Sequence, residues 1–263
     1  MSSFQKLFAF TVGWSVFSGF AAGWMDRCCD MLFGESRWIH HDLVQGIFFL
    51  SLMIFSVRSL MILIRTKHKI NQLLKWQSDA FFPLVHRMQR ETSVPFKVVK
   101  HPRPFAFAYG WFRPQVVVSE GMMEALREEE LKAVLEHEVY HCRQKDPLKI
   151  WFAKSASAAF FYFPLIRTWS KQYDLEKELA ADRHAIGQCG LKPLASALLK
   201  ILEPSSPVSS IHGSAGFSSA WMEVRINGLM KKTPVMKRQK RDYCLTLLAL
   251  LILTICPVYD FIK

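Results

Sequence analysis

The segment His137-Glu138-Val139-Tyr140-His141 sets two imidazoles four residues apart. Glu178-Leu-Ala-Ala-Asp182 sets two carboxylates four apart, beginning 37 positions after His141. Side chains four apart on an α-helix share one face about one turn from each other, so His137 and His141 can converge on one cation. The distant acidic pair then offers one carboxylate ligand and one spare carboxylate. Glu138 sits on the same turn as the histidines, placed to take a proton from a water on the metal without binding the metal itself. A zinc-dependent hydrolase needs that set, and one Zn2+ per chain is the expected cofactor.

The elements that hold these residues are legible around them. Leu131-Lys132-Ala133-Val134-Leu135 is strongly helix-forming and carries apolar residues at the spacing of a buried stripe. Asp146-Pro147 marks the expected stop of that helix. A solvated polar helix can carry the five-residue pattern by chance. The buried stripe, the clean stop and the second acidic pair set this copy apart.

The chain is 51% hydrophobic with 21 Phe and 8 Trp, and this apolar mass is gathered into runs. Leu7 to Met25 has no charged residue inside it and is about one bilayer span long. A second run extends from about Val44 to Ile64, interrupted only by Arg58, and a third covers Cys244 to Tyr259. None alternates faces as a helix of a soluble bundle would. Three spanning helices are predicted. Retention of the first is favoured over cleavage as a signal peptide because its apolar stretch exceeds the usual signal core. Gly19-Phe-Ala-Ala-Gly23 within it fits a close-packing helix pattern.

A net charge of +12 raises nucleic acid as a partner, but the location of the charge argues for a membrane. Arg65, Lys67, Lys69 and Lys75 follow the second run, and Lys231, Lys232, Lys237, Arg238, Lys240 and Arg241 precede the third. The 26–43 loop carries four carboxylates against two arginines. Basic residues mark the cytoplasmic side of spanning segments. The reading is therefore a multi-pass membrane protein, with the N-terminus and residues 66–242 cytoplasmic and the C-terminal tip outside. The basic clusters anchor this topology and can meet anionic lipid, with Arg58 reaching toward the headgroups. No direct nucleic-acid contact is expected. Cys28 and Cys29 fall in the external loop, where they could oxidise, whereas Cys142 and Cys189 face a reducing compartment. Cys142 follows His141 but points about 100° away on the helix, which predicts a buried packing role.

Residues 150–169 form a further apolar stretch that cannot be a single crossing if Glu178 joins the histidines. Ligands lie about 2 Å from a shared ion, and one crossing would part them across the bilayer. Lys154 and Pro164 favour an interfacial or re-entrant hairpin bent near Pro164, with the centre at the membrane surface. Upstream, Phe96–Lys100, Phe105–Tyr109 and Gln115–Ser119 read as short strands separated by Pro102, Pro104, Gly110 and Pro114. Phe105, Phe107 and Tyr109 would bury one face. Ala106 and Ala108 on the other would leave room for a substrate peptide to add as an extra strand along Ala106, Phe107, Ala108 and Tyr109. An ordinary hairpin packed under the active helix is the competing reading. Residues 205–219 read as a polar loop that could serve as a lid or a cleavage site.

The order of two spans, the His137–His141 helix, Phe160-Phe-Tyr-Phe-Pro164 and Glu178–Asp182 resembles the BlaR/MecR-type membrane metallopeptidases. These are gluzincins that relay a cell-wall antibiotic signal by cutting a cytoplasmic repressor. Pro104-Phe-Ala-Phe-Ala-Tyr-Gly110, Val116-Val-Val-Ser119 and the helix into His137 are also similar to the HtpX/Ste24-type membrane proteases. The resemblance implies His137, His141 and Glu178 as zinc ligands, Glu138 as base and Asp182 as a carboxylate orienting a ligand histidine through its ring N–H. BlaR/MecR sensors carry a penicillin-binding domain after their last span. Only Asp260-Phe-Ile-Lys263 lies beyond the third run here, so β-lactam sensing is not carried over.

The expected fold is an integral membrane α+β protein, mostly helical with a small sheet. It comprises two N-terminal spans over 1–65, a gluzincin-like protease domain over 66–242 that includes the hairpin, and a C-terminal span over 243–263. The expected activity is zinc-dependent endoproteolysis of a cytoplasmic or membrane-proximal protein in regulatory signalling. An HtpX-like quality-control protease and a non-catalytic zinc-binding signalling protein are the rivals; the intact Glu138 argues against the latter. Arg225, His184 and Tyr173 are candidates for an oxyanion or substrate contact. Partners implied are a protein substrate such as a transcriptional repressor or a membrane protein, the bilayer, and a sensor partner or second copy of the chain.

Overall fold

A computed structural model describes the backbone of residues 2–32, 39–78, 80, 82–202 and 241–251, with side chains for those residues outside 20–45 and 202. Arg225, the 205–219 loop, residues 33–38 of the 26–43 loop and most of the basic stretch before the third run lie outside these limits; Gly23, Cys28 and Cys29 are described in backbone only, within α1, and residues 26–32 and 39–43 of the expected loop are helical. The described chain is mostly helical with one small mixed sheet, in the order α1 (Ser3–Leu32), α2 (Ile39–Leu74), α3 (Pro83–Thr92), β1 (Phe96–Val99), β2 (Ala106–Tyr109), β3 (Gln115–Ser119), α4 (Glu120–Ala125), α5 (Glu128–Arg143), α6 (Asp146–Ala159), α7 (Pro164–Cys189) and α8 (Leu191–Leu202). Residues 241–251 are helical again. Two compact units emerge: 1–63 with 151–173 and 236–263, and 64–150 with 174–235.

The second unit is built around α5. Its sheet runs β1-β3-β2, with β1 parallel and β2 antiparallel to the central β3, in register Phe96↔Val116 and Ala108↔Val116. Strand alternation divides the sheet into two apolar faces. Phe96, Ala106, Val116 and Val118 join Leu131, Val134, Leu135 and Val139 of α5 in one core, while Val99, Phe105, Phe107 and Val117 pack against Leu73 and Leu74 on the other side. The Ala106/Ala108 face is therefore filled by α5. Small residues there bring helix and sheet close together; they do not leave a peptide-sized space on that face. The turn from β2 to β3 uses Gly110 at φ 93, a conformation that costs glycine little. Gly121, in the first turn of α4, packs against Pro102, whose carbonyl oxygen would lie 2.1 Å from any added Cβ.

Helix α5 begins with Glu128, Glu129 and Glu130, acids that suit the positive end of the helix dipole, and Glu130 Oε2 accepts the backbone N–H of Arg127 at 2.9 Å. It ends at Arg143. The break comes from Lys145 in the left-handed region (φ 54), and Asp146-Pro147 is the first turn of the next helix.

In the first unit, the 150–169 stretch is not one helix. Helix α6 ends at Ala159, a turn over 160–163 is closed by Phe163 N–H donating to Phe160 O at 3.0 Å, and Pro164 opens α7. Proline lacks the N–H that a first helical turn leaves unpaired, which suits it to that position. Phe163, fully buried, receives Phe10 and Trp14 of α1 edge-on at 5.2 Å each. Along α2, Ser51 Oγ meets Tyr162 Oη at 2.9 Å and the Ser59 carbonyl accepts from Trp151 Nε1 at 3.4 Å.

Gly46–Leu74 is long and apolar enough to cross a membrane, with mean hydropathy 2.4 and only 11% of its most apolar window buried. Among the described residues this is one clear spanning candidate where the sequence reading expects about three. The first run lies in α1, whose side chains are described only through Gly19. The third passes beyond the described residues after Leu251.

Candidate metal centre

His137 and His141 lie one turn apart on α5, both buried, with ring centroids 4.7 Å apart and planes at 82°. Their Nε2 atoms face each other at 3.1 Å. Helix α7 brings up Glu178, with Oε2 at 3.4 Å from His137 Nε2 and Oε1 at 3.8 Å from His141 Nε2. One donor atom from each of the three residues falls within 4.8 Å of the others, a cluster capable of holding a metal ion.

The outer nitrogens decide how this cluster can be stable. Asp182 Oδ1 stands 3.0 Å from His137 Nδ1, and Asp146 Oδ2 stands 2.7 Å from His141 Nδ1. Carboxylates only accept, so Asp146 favours the tautomer that keeps the His141 proton on Nδ1 and turns its Nε2 lone pair inward, and the charge of Asp182 beside His137 Nδ1 favours the same tautomer there. Two lone pairs and a carboxylate then converge in a buried space, an arrangement that repels itself until a cation enters. A proton on one Nε2 relieves one pair; a divalent ion relieves all three. The spacing also fits, since two nitrogens bound about 2.05 Å from a tetrahedral zinc lie about 3.3 Å apart. Carboxylates behind both imidazoles are the usual support for metal-binding histidines.

Glu138 is buried beside the pair, and its Oε2 accepts the N–H of Ala108 at 2.9 Å. Antiparallel pairing turns alternate N–H groups of β2 away from β3, and β2 is an edge strand, so this bond ties the carboxylate to the open edge of the sheet. Lys177 adds a cation, its Nζ contacting Glu178 Oε1. Burial works against that ammonium, but Glu178, Asp174 and Asp146 outweigh it and hold its pKa above the ordinary lysine value. Burial, helped by Glu138 and Asp146, pushes the Cys142 thiol up to about 12, so Cys142 is inert packing in the α5 core.

A family model described as BlaR1 peptidase M56 matches residues 43–227, more than half of the chain. The chain belongs to this family. Among its relatives, the regulatory protein BlaR1 of Bacillus licheniformis is 25% identical over 148 residues, covering 54% of this chain and 24% of that protein. A protease HtpX homolog of Pyrococcus abyssi (strain GE5 / Orsay) is 27% identical over 126 residues, 45% of this chain and 44% of that protein. The chain thus spans about a quarter and under half of these relatives' lengths.

In this BlaR1 peptidase M56 member the remaining sequence candidates fall elsewhere. His184 turns to α5, with Nε2 3.4 Å from Glu136 Oε2 and its ring 5.3 Å from that of Tyr140. Tyr173 belongs to the first unit, its ring 5.2 Å from Phe4. Phe107 and Tyr109 point to the sheet face away from α5, where burial raises the Tyr109 phenol. Two residues escape the sequence reading altogether. Asp146 reaches His141 because the left-handed Lys145 folds the chain back, whereas a continuous helix would carry it about 140° away. Lys177 carries no motif signal at all.

Proposed function

We propose that this protein is a membrane-anchored zinc endopeptidase that cuts a cytoplasmic or membrane-proximal regulatory protein. His137, His141 and Glu178 would hold the ion, and the convergence of one donor atom from each within 4.8 Å of the others is the observation that carries the reading. When bound, the ion supplies Lewis acidity toward a peptide carbonyl and makes water acidic enough to be deprotonated near neutral pH. Glu138 takes that proton and returns it to the leaving amine. The Ala108 N–H holds Glu138 in orientation beside the β2 edge, where an extended peptide can add as a strand. Asp182 and Asp146 keep both rings in the tautomer that presents Nε2, and the gluzincin assignment follows from Glu178 as third ligand. The hairpin around Phe160–Phe163 is read as membrane-associated and α2 as its neighbouring span.

Regulatory rather than general proteolysis is favoured by the similarity to the regulatory protein BlaR1, and the HtpX homolog supports the proteolytic half of the reading. Substituting Glu138→Gln should leave zinc bound and lower cleavage by about a hundredfold or more, as loss of a positioned base does. Full-length protein in detergent, assayed for zinc by elemental analysis and for cleavage on a peptide library, tests this. Undiminished cleavage by E138Q rejects the base assignment. Comparing cellular proteomes with wild type and E138Q then separates a single stabilised regulator from many membrane-protein fragments, the latter meaning a housekeeping protease.

A further inference from the structure

Lys177 immediately precedes Glu178 on α7, and consecutive helical residues diverge by about 100°. A lysine so placed ordinarily carries its charge to water along a flexible stem. Here the side chain is only 14% exposed and folds back onto its neighbour, its Nζ contacting Glu178 Oε1. That oxygen is the one facing His141 Nε2 at 3.8 Å. Asp174 stands three residues earlier on α7, the spacing of neighbours on one helix face. A largely enclosed monocation therefore touches the one anionic donor of the cluster.

We propose that Lys177 is a built-in counter-cation of the metal centre: it shares Glu178 with the bound ion, loosens the hold on that ion and leaves it more electron-poor. The inference rests on the zinc reading above. Two effects of the lysine oppose each other. Holding Glu178 in place without metal saves side-chain entropy and favours binding, while a positive charge a few Å from a dication disfavours it. In a site of low effective dielectric the charge repulsion is the larger of the two. The consequence is an ion bound less tightly than its donor set alone would bind it, and a stronger Lewis acid for it.

The test is zinc affinity, measured on the full-length protein in detergent by competition with a chromophoric chelator. K177M and K177Q should bind zinc about tenfold more tightly than wild type or better, with K177R within about threefold of wild type because it keeps the charge. D174N, which removes a carboxylate beside the lysine, should weaken binding. If K177M does not fold, K177Q and D174N read the same effect. Wild type that binds zinc while K177M or K177Q binds it equally or more weakly overturns the role of Lys177. Wild type that takes up no zinc rejects the metal reading itself, a different result.

Discussion

The two units differ in where most of their polar side chains bond. In the first, several hydroxyls turn back onto their own helices: Thr11 Oγ1 donates to the Leu7 and Phe8 carbonyls at 3.0 Å, Ser15 to Thr11 at 2.8 Å and Ser56 to Leu52 at 2.9 Å, while Thr168 and Ser51 reach other elements. Its outward face is apolar, with Phe49, Leu52, Met53, Val57 and Leu60 exposed along α2. In the second, buried polar groups bond across elements. Glu130 on α5 accepts Ser196 Oγ at 2.6 Å and Lys200 Nζ at 2.7 Å from α8, and Asp182 and Asp146 each back a histidine. One unit returns many of its hydroxyls to their own helix and shows carbon outward along α2, as a lipid solvent demands. The other spends its polar groups on fixing elements against one another around a centre. Membrane association and site geometry are thus divided between different parts of one chain.

The largest effect should come from reversing the solvent match. Met53 is 57% exposed on α2 and Leu199 is 62% exposed on α8. Arginine at a bilayer centre costs about 3 kcal/mol, whereas a surface change in water stays within about 0.5 kcal/mol. M53R should therefore reduce recovery in the membrane fraction sharply, and L199R should not. Equal behaviour of the two would break the contrast between the units.

Next in size is Glu130. The Lys200 ammonium first, then Ser196 and the Arg127 N–H, hold its carboxyl far below the usual carboxylate range. Its pKa is depressed in the folded state, so this stability is present above the unfolded value near about 4.3 and drains away as pH falls below it. E130Q should cost about 2 kcal/mol at neutral pH, less than a fully buried pair because Lys200 and Arg127 reach solvent. It should also flatten the fall in stability below about pH 4, read by denaturant unfolding at several pH values. An unaltered acid profile would mean that another carboxylate governs it.

What the sequence discloses follows the range of each interaction. Convergence of His137 with His141 is helical arithmetic, and the strands announce themselves through alternation and bounding prolines. The meeting with Glu178 needs an argument about chain path, since a single crossing by residues 150–169 would part the ligands; that stretch is two helices joined by a turn over 160–163. Asp146 stays hidden because a positive φ at Lys145, with no glycine to advertise it, decides where it points. Lys177 stays hidden because neighbours on a helix are expected to diverge. The alanine face of β2 leaves two readings open in the sequence, since small residues signal equally a vacancy and a close approach, and only the packing of α5 distinguishes them. The tie from Glu130 to Ser196 and Lys200 spans 66 and 70 residues, beyond any periodic signal.

The finest test compares two serines. Ser56 sits exposed on the apolar helix and gives its proton to the Leu52 carbonyl of the same helix. That carbonyl keeps its backbone partner when the hydroxyl goes, and no other element loses a bond. Ser196 gives its proton to Glu130, buried on another helix. Its removal leaves that carboxylate one donor short. S196A should therefore cost about 1 kcal/mol, while S56A should cost about 0.3 kcal/mol or less and can even stabilise, since alanine favours the helix. Unfolding of both variants in the same detergent measures the difference. An S56A loss as large as that of S196A would mean that Ser56 Oγ serves a second partner across a helix interface, and the local rule for the first unit would fail at that position.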